Sequence, residues 1–297
     1  RAGRRAPRRP GGLGWPASLL DRSTYDELTL PDLVQALNDA RLAGGPQFLD
    51  VIGFDAGLMA QWEVLEAIAP YAGIAVASEE AVPATGWDYT AILAALRASP
   101  AMDGRALAEQ IAQVYISYYA INNPHPYVTL SAIKLADIGL VTGALSDLVQ
   151  ALSPALARHV PALSEARGRV ETYTGHARLD QQRAIASVDL QHFADLLAAA
   201  SDDEAIGQAA RALANAVDEA VLLSTHDALR PHAGGIAIYF PSGTGHNLSD
   251  YGQQAAAADS SGWASLLDAY LASLQAMPAR NLEMTDSAPR AASIHAP

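Results

Sequence analysis

The sequence predicts an α/β fold, with a mostly parallel sheet flanked by helices. Three observations carry this. Phe48 to Phe54 and Ile74 to Ala77 are short apolar runs, the mark of strands buried on both faces. Leu58, Trp62, Leu65 and Ala69 follow the first run at helical spacing. The resulting strand–helix–strand order implies parallel neighbours joined by a right-handed crossover.

Residues 11–28 read as loop, with Gly and Pro early and polar residues after. Thr29-Leu-Pro-Asp32 is a helix start: a hydroxyl cap, an early proline and an acid three residues on. That helix runs to about Leu42, and Gly44-Gly45-Pro46 stops it. After the strand at 48–54 a helix is expected over 58–69, then the strand at 74–77. Ser78-Glu79-Glu80 therefore lies at a strand's carboxyl end, as does Asp55-Ala56-Gly57, where open α/β sheets place their chemistry. Helices are expected around 88–97 and 104–120, the second striped by Leu107, Ile111, Val114 and Tyr118. Asn122 to Pro126 is a break. Tyr127 to Leu135 reads as a strand, 137–158 as a helix, and 161–185 as polar and ambiguous. Val188 to Ala200 and a helix capped by Ser201-Asp-Asp-Glu204, running to about Ser224, follow. Gly234 to Pro241 reads as a strand, 242–262 as loop, 263–275 as a closing helix, and the tail 277–297 as disordered.

A chain of 297 residues can bury a substantial core. Its net charge of −13 argues against nucleic acid and is compatible with cationic substrates. No apolar run in the sequence reads as a membrane span. The absence of cysteine excludes disulfides, thiolate metal sites and a thiol nucleophile. Residues 1–10 hold five of the 19 basic residues and read as a disordered start, with no apolar segment of a signal peptide behind them. The eight histidines show no metal-binding spacing, so neither metal nor cofactor is expected. Gly243-Thr-Gly245 is too short for a phosphate loop, and no nucleophile elbow supports a serine dyad of Ser131 and His125.

Phe54-Asp-Ala-Gly-Leu-Met-Ala60, Ala77-Ser-Glu-Glu80 and Gly86-Trp-Asp-Tyr89 together resemble the clostripain family of cysteine peptidases. Thr129 to Ile133, Val188 to Phe193 and Gly235 to Pro241 are similar to later family blocks in the same order, so the resemblance covers roughly 11 to 275. It implies a caspase-like αβα sandwich, one peptidase domain over 11–276 lacking the family's early strands, and a secreted or periplasmic setting. In the family's motif the position of Gly57 is the nucleophilic cysteine. Gly11-Gly-Leu-Gly-Trp15 resembles the motif that begins with the catalytic histidine, with Gly11 in the histidine's place and Arg9 the next candidate position.

Asp55 has two readings. Alone it is a cap or first-turn acid of the following helix. By the resemblance it lines the pocket for a substrate's arginine or lysine, which a carboxylate can grip in bidentate fashion. Ser78, Glu79 and Glu80 join it as substrate-binding residues of one acidic cleft. The implied activity is endopeptidase cleavage after arginine or lysine, by thiolate attack and hydrolysis of an acyl-enzyme. Without cysteine at 57 or histidine at 11 the expectation is an inactive homologue. The alternative is a non-catalytic binder of basic peptides.

Overall fold

The computed structural model describes residues 19–21, 26–122, 127–173, 187–241, 248, 251–252 and 255–276. Gly11, the basic start and the tail 277–297 lie outside them. Within the stretch read as loop, β1 (Leu19–Asp21) and β2 (Asp26–Leu28) form a small antiparallel hairpin. α1 (Leu30–Leu42) then starts as its spacing predicts. Thr29 Oγ1 accepts from the Asp32 amide while the Asp32 carboxylate accepts from the Thr29 amide, a reciprocal cap with Pro31 in the first turn.

β3 (Leu49–Gly53), α2 (Trp62–Ile68) and β4 (Ala72–Ala77) make the crossover unit, and β3 and β4 are parallel. The helix expected over 58–69 starts only at Trp62. Residues 58–60 spend their backbone groups sideways: the Leu58 amide donates to Glu80 O, the Ala60 amide to Ser78 O, and Ala60 O accepts from the Ala237 amide. An extended segment paired on both sides has no groups left for a helical ladder.

α3 (Tyr89–Ala98), capped by Asp88, and α4 (Gly104–Asn122) lead to β5 (Thr129–Lys134). Next come α5 (Ile138–Leu152), α6 (Leu156–Arg169), β6 (Thr172–Tyr173), β7 (Ser187–Asp189), α7 (Leu190–Ala200), α8 (Glu204–Ala220), β8 (Val221–His226), β9 (Ala237–Tyr239), α9 (Ala256–Ser260) and α10 (Trp263–Ala276). The helix read over 137–158 is two helices, parted by a one-turn 3-10 segment at Ser153–Ala155 where Pro154 has no amide to give. α6 then carries helix through Pro161 to Arg169, inside the stretch that sequence left ambiguous. The run Leu135–Arg169 is apolar and long enough by composition to cross a bilayer, yet Ile138, Val141, Leu145 and Leu148 along it are fully buried in the core.

The central sheet has the order β3-β4-β5-β8, and β6-β7-β9 form a second, smaller sheet. The expected αβα sandwich is present, but the sheet is mixed and not mostly parallel: β4–β5 and β5–β8 are antiparallel. The reason is the number of crossings. One helix returns the chain from β3 to the start of β4. Two helices, α3 and α4, bring it back to the end where β4 stopped, so β5 runs the other way and Ala77 faces Ser131.

Alternate strand residues feed two cores. Ala75, Ala77 and Ile133 face the larger one, packed by α2, α5, α7 and α8. Val76, Leu130 and Ala132 face the other, closed by α3 and α4 with Trp87, Tyr115 and Tyr119. Trp62 and Trp263 are fully buried, with ring N–H groups donating to Thr142 Oγ1 and Tyr239 O at 2.9 Å. Each contributes on the order of 2–3 kcal/mol of burial, with its polar atom satisfied.

Candidate functional site

Gly57 stands where β3 ends and the chain runs on beside β4. Phe54, Leu58 and Ala60 donate their amides to Val76, Glu80 and Ser78, so this turn is stitched to the carboxyl end of β4. The residue in left-handed conformation is not the glycine but Leu58, at φ 63°. Gly57 is required for another reason: a Cβ there would lie 2.5 Å from Ala81 Cα and 2.9 Å from the Val82 nitrogen. Main chain, not a movable side chain, fills the space that any side chain at 57 would enter.

Asp55, two residues earlier, turns away from that contact. It is exposed, and its Oδ2 accepts from the Trp87 amide at 3.2 Å and the Tyr89 hydroxyl at 3.1 Å. It does not cap α2, which Gln61 precedes. Gly86, at φ 64°, has its α-carbon so close that a Cβ would meet Asp55 Oδ2 at 2.5 Å.

Ser78, Glu79 and Glu80 are buried, each in a different task. Ser78 Oγ donates to Glu80 O at 2.8 Å and lies 3.1 Å from Thr129 Oγ1. Thr129 Oγ1 in turn accepts from the Glu79 and Glu80 amides. Two hydroxyls thus fold the backbone back on itself after β4. Glu80 spends Oε1 on the Ala81 amide and pairs Oε2 with Arg230. Glu79 points to the opposite side, where neither of its oxygens finds a donor in good geometry.

Beside Glu79 is Asp189, fully buried at the head of α7. Its carboxylate accepts from the His192 amide at 2.7 Å, the Gly234 amide at 2.6 Å and the Tyr173 hydroxyl at 3.3 Å. Burial, then the Asp189 carboxylate, push Glu79 well above the ordinary glutamate range. Asp189 is also raised, by burial, against the pull of its donors. Two short amide bonds and a longer one from Tyr173 fall on Asp189, so the shared proton belongs on Glu79. The buried Tyr115 hydroxyl is pushed up by burial first, then by Tyr119, Asp55 and Glu80.

Three of the described histidines have partners other than Gly57's neighbours in the turn. His192 accepts from the Glu171 amide at Nδ1 and stacks on His232 with ring centres 4.0 Å apart, while His226 Nδ1 meets Asp227 O. Burial lowers His192 to about 4, with His232 and Arg169 adding to the effect. Among the described residues no cluster of three acids or histidines could hold a metal ion.

Sequence reasoning picked Asp55, Gly57, Ser78, Glu79 and Glu80 and missed their partners. Thr129 and Asp189 lie in blocks that carried the resemblance, without a role attached. Arg230, Glu171 and Tyr173 gave no local signal, because their meeting depends on β6 and the β8–β9 loop reaching the end of β4.

The fold and this strand-end turn define the class: a caspase-like α/β sandwich of the kind built by C11 cysteine proteases. The clostripain family model matches residues 17–268, and the chain belongs to that family. Among solved structures it is similar to a B. fragilis cysteine protease, with 20% identity, TM-score 0.54, and coverage of 83% of this chain and 97% of that one. It is also similar to a clostripain from Bacteroides thetaiotaomicron in complex with a peptide inhibitor (15% identity, TM-score 0.59, coverage 84% and 98%). A third likeness is to an inactive zymogen C11 protease from Parabacteroides distasonis (18% identity, TM-score 0.58, coverage 84% and 67%). No curated protein matches.

Proposed function

We propose that this chain is a clostripain-family homologue that does not perform the family's thiolate chemistry and retains the capacity to hold basic peptides. The observation that carries the first half is at position 57. The chain has no cysteine, and the Ala81–Val82 main chain occupies the space a side chain would need. Nucleophilic catalysis needs both the sulfur and a base beside it. Support for the second half is Asp55, an exposed carboxylate already oriented by Trp87 and Tyr89.

Two measurements on the purified chain test this reading. Peptides cleavable after arginine or lysine should stay intact, and iodoacetamide-sensitive cleavage would refute the inactive assignment. Peptides ending in arginine should bind with a Kd on the order of micromolar to millimolar, since one charged anchor must offset the ordering of a flexible ligand. Arginine should exceed citrulline, and Asp55→Asn should erase that preference without changing the fold. Equal calorimetric affinity of the parent chain for both peptides would sink the binding role of Asp55.

A further inference from the structure

Arg230 is carried on the loop between β8 and β9, yet its guanidinium lies among groups from three other places in the fold. It pairs with Glu80 beyond β4 and with Glu171 Oε1 at 2.9 Å beside β6. Its Nη1 also reaches Thr172 O at 3.4 Å. Tyr127 and Tyr173 place their rings 5.3 and 5.5 Å from the guanidinium carbon. Two carboxylates, a carbonyl and two aromatic faces are the full chemistry by which proteins recognise an arginine side chain.

The fit is incomplete in a telling way. Arg230 Nε is buried and has no hydrogen-bond partner. Tyr127 is held at φ 45°, one of two non-glycine residues at positive φ among those described, and the other is Leu58 beside Gly57. The first part of the loop that delivers Arg230 is held by its own turns, since Arg230 and Leu229 donate to Asp227 and Ala233 donates to Arg230 O, whereas its end is tied to the fold, with Ala233 O accepting from Ser224 and the Gly234 amide donating to Asp189. It is rooted at Asp227, which exchanges bonds with Val128, and at Gly235, at φ 108°. Leu229 and His232 along it are exposed.

We propose that the Glu80–Glu171–Tyr127–Tyr173 cage is an arginine-binding site that the chain keeps shut with its own Arg230, and that an arginine side chain of another polypeptide gains it when the loop swings out. The proposal takes from the previous section only the class of ligand, and it concerns residues other than Asp55. An internal occupant taxes the affinity of an external one by the fraction of molecules with the loop open. Removing the occupant should remove the tax.

The test is calorimetric titration of Nα-acetyl-arginine methylamide, and of its citrulline and lysine counterparts, into the parent chain and into Arg230→Ala. Arg230→Ala should bind the arginine ligand at least about tenfold more tightly than the parent, and the citrulline ligand no better. Adding Glu171→Gln should abolish the gain, and adding Asp55→Asn should leave it, which separates this site from the Asp55 reading. A folded Arg230→Ala chain without the gain overturns the proposal. So does an equal gain for lysine, which would mark a charge deficit refilled by any cation. If Arg230→Ala does not fold, Arg230→Gln is titrated instead, with hydrogen exchange on the parent. Saturating arginine ligand should then speed exchange across residues 227–235, and unchanged exchange at saturation overturns the proposal.

Discussion

A side chain added at position 57 would begin 2.5 Å from Ala81 Cα, a distance that real Cβ contacts do not show. The glycine is not in the left-handed region, so its backbone would accept alanine. Two effects therefore compete when Gly57 becomes Ala. Reduced freedom of the unfolded chain stabilises by about 0.4–1 kcal/mol at a roomy site, while overpacking against main chain costs about 1–3 kcal/mol. The second should win, and Gly57→Ala should lower the urea midpoint with the slope unchanged; a raised midpoint would show that the Ala81–Val82 segment gives way easily. Gly57→Cys should carry the same cost. It should remain without substantial peptidase activity, because the new thiol would be mostly protonated near neutral pH without a base.

The joint between β4 and β5 rests on Thr129, whose hydroxyl accepts from two consecutive buried amides and meets Ser78 Oγ. Valine has nearly the same shape and no acceptor. Thr129→Val should cost about 1–3 kcal/mol, because the Glu79 amide loses its acceptor while the Glu80 amide keeps Ser78 Oγ, read as a fall in the denaturation midpoint; a change under about 0.5 kcal/mol would mean that water or another group replaces the hydroxyl. Most elements with a local cause were legible in the sequence. Thr29 and Asp32 announce α1 by the cap they go on to form, and Ser201-Asp-Asp-Glu204 announces α8, though Asp203 and not Ser201 is its cap and the helix starts at Glu204. What was hidden depends on distant partners. β8 reads as more helix because nothing between Ala220 and Val221 breaks the pattern, and only pairing with β5 makes Val221–His226 a strand. The late start of α2 has the same origin, since Ala60 and Gln61 are drawn alongside Ala237. At the site, the acids were visible as a run, but the division of labour among them was not. Glu79 and Glu80 are adjacent in sequence and face Asp189 and Arg230 respectively.

At the scale of the whole molecule, buried acids set the response to pH. Glu63, fully buried on α2, accepts from the Tyr239 amide and the Tyr251 hydroxyl through Oε1, and its Oε2 has no partner. Burial pushes it from 4.5 up to about 7, against the pull of those bonds. The folded state thus holds this proton more tightly than the unfolded chain. Its contribution is fully present below about pH 4.5 and is lost as pH rises through about 7. The loss is on the order of 3 kcal/mol. Glu79 and Asp189 are shifted in the same direction, and a net charge of −13 adds self-repulsion once acids ionise. His192, lowered from 6.5 to about 4, works the other way once pH falls below about 6.5, so the chain should be more stable near pH 6.5 than near pH 8. Glu63→Gln should flatten that difference in urea unfolding, leaving the slope due to the other pair; an unchanged difference would show that Glu63 is solvated when it ionises.

Lys134 closes β5 at the end of the central sheet away from Gly57: it pairs with Ile74 early in β4, whereas Ser131 faces Ala77 at that strand's last residue. Its ammonium forms an ion pair with Asp137 and keeps 42% of its side-chain surface exposed. It is the one lysine in the sequence. With the α-amino group blocked, an amine-directed fluorophore would mark the far end of the central sheet at a single side chain. Such a conjugate could report ligand capture at the strand ends by depolarisation or energy transfer, without an engineered cysteine and without a dye crowding the acidic residues under study.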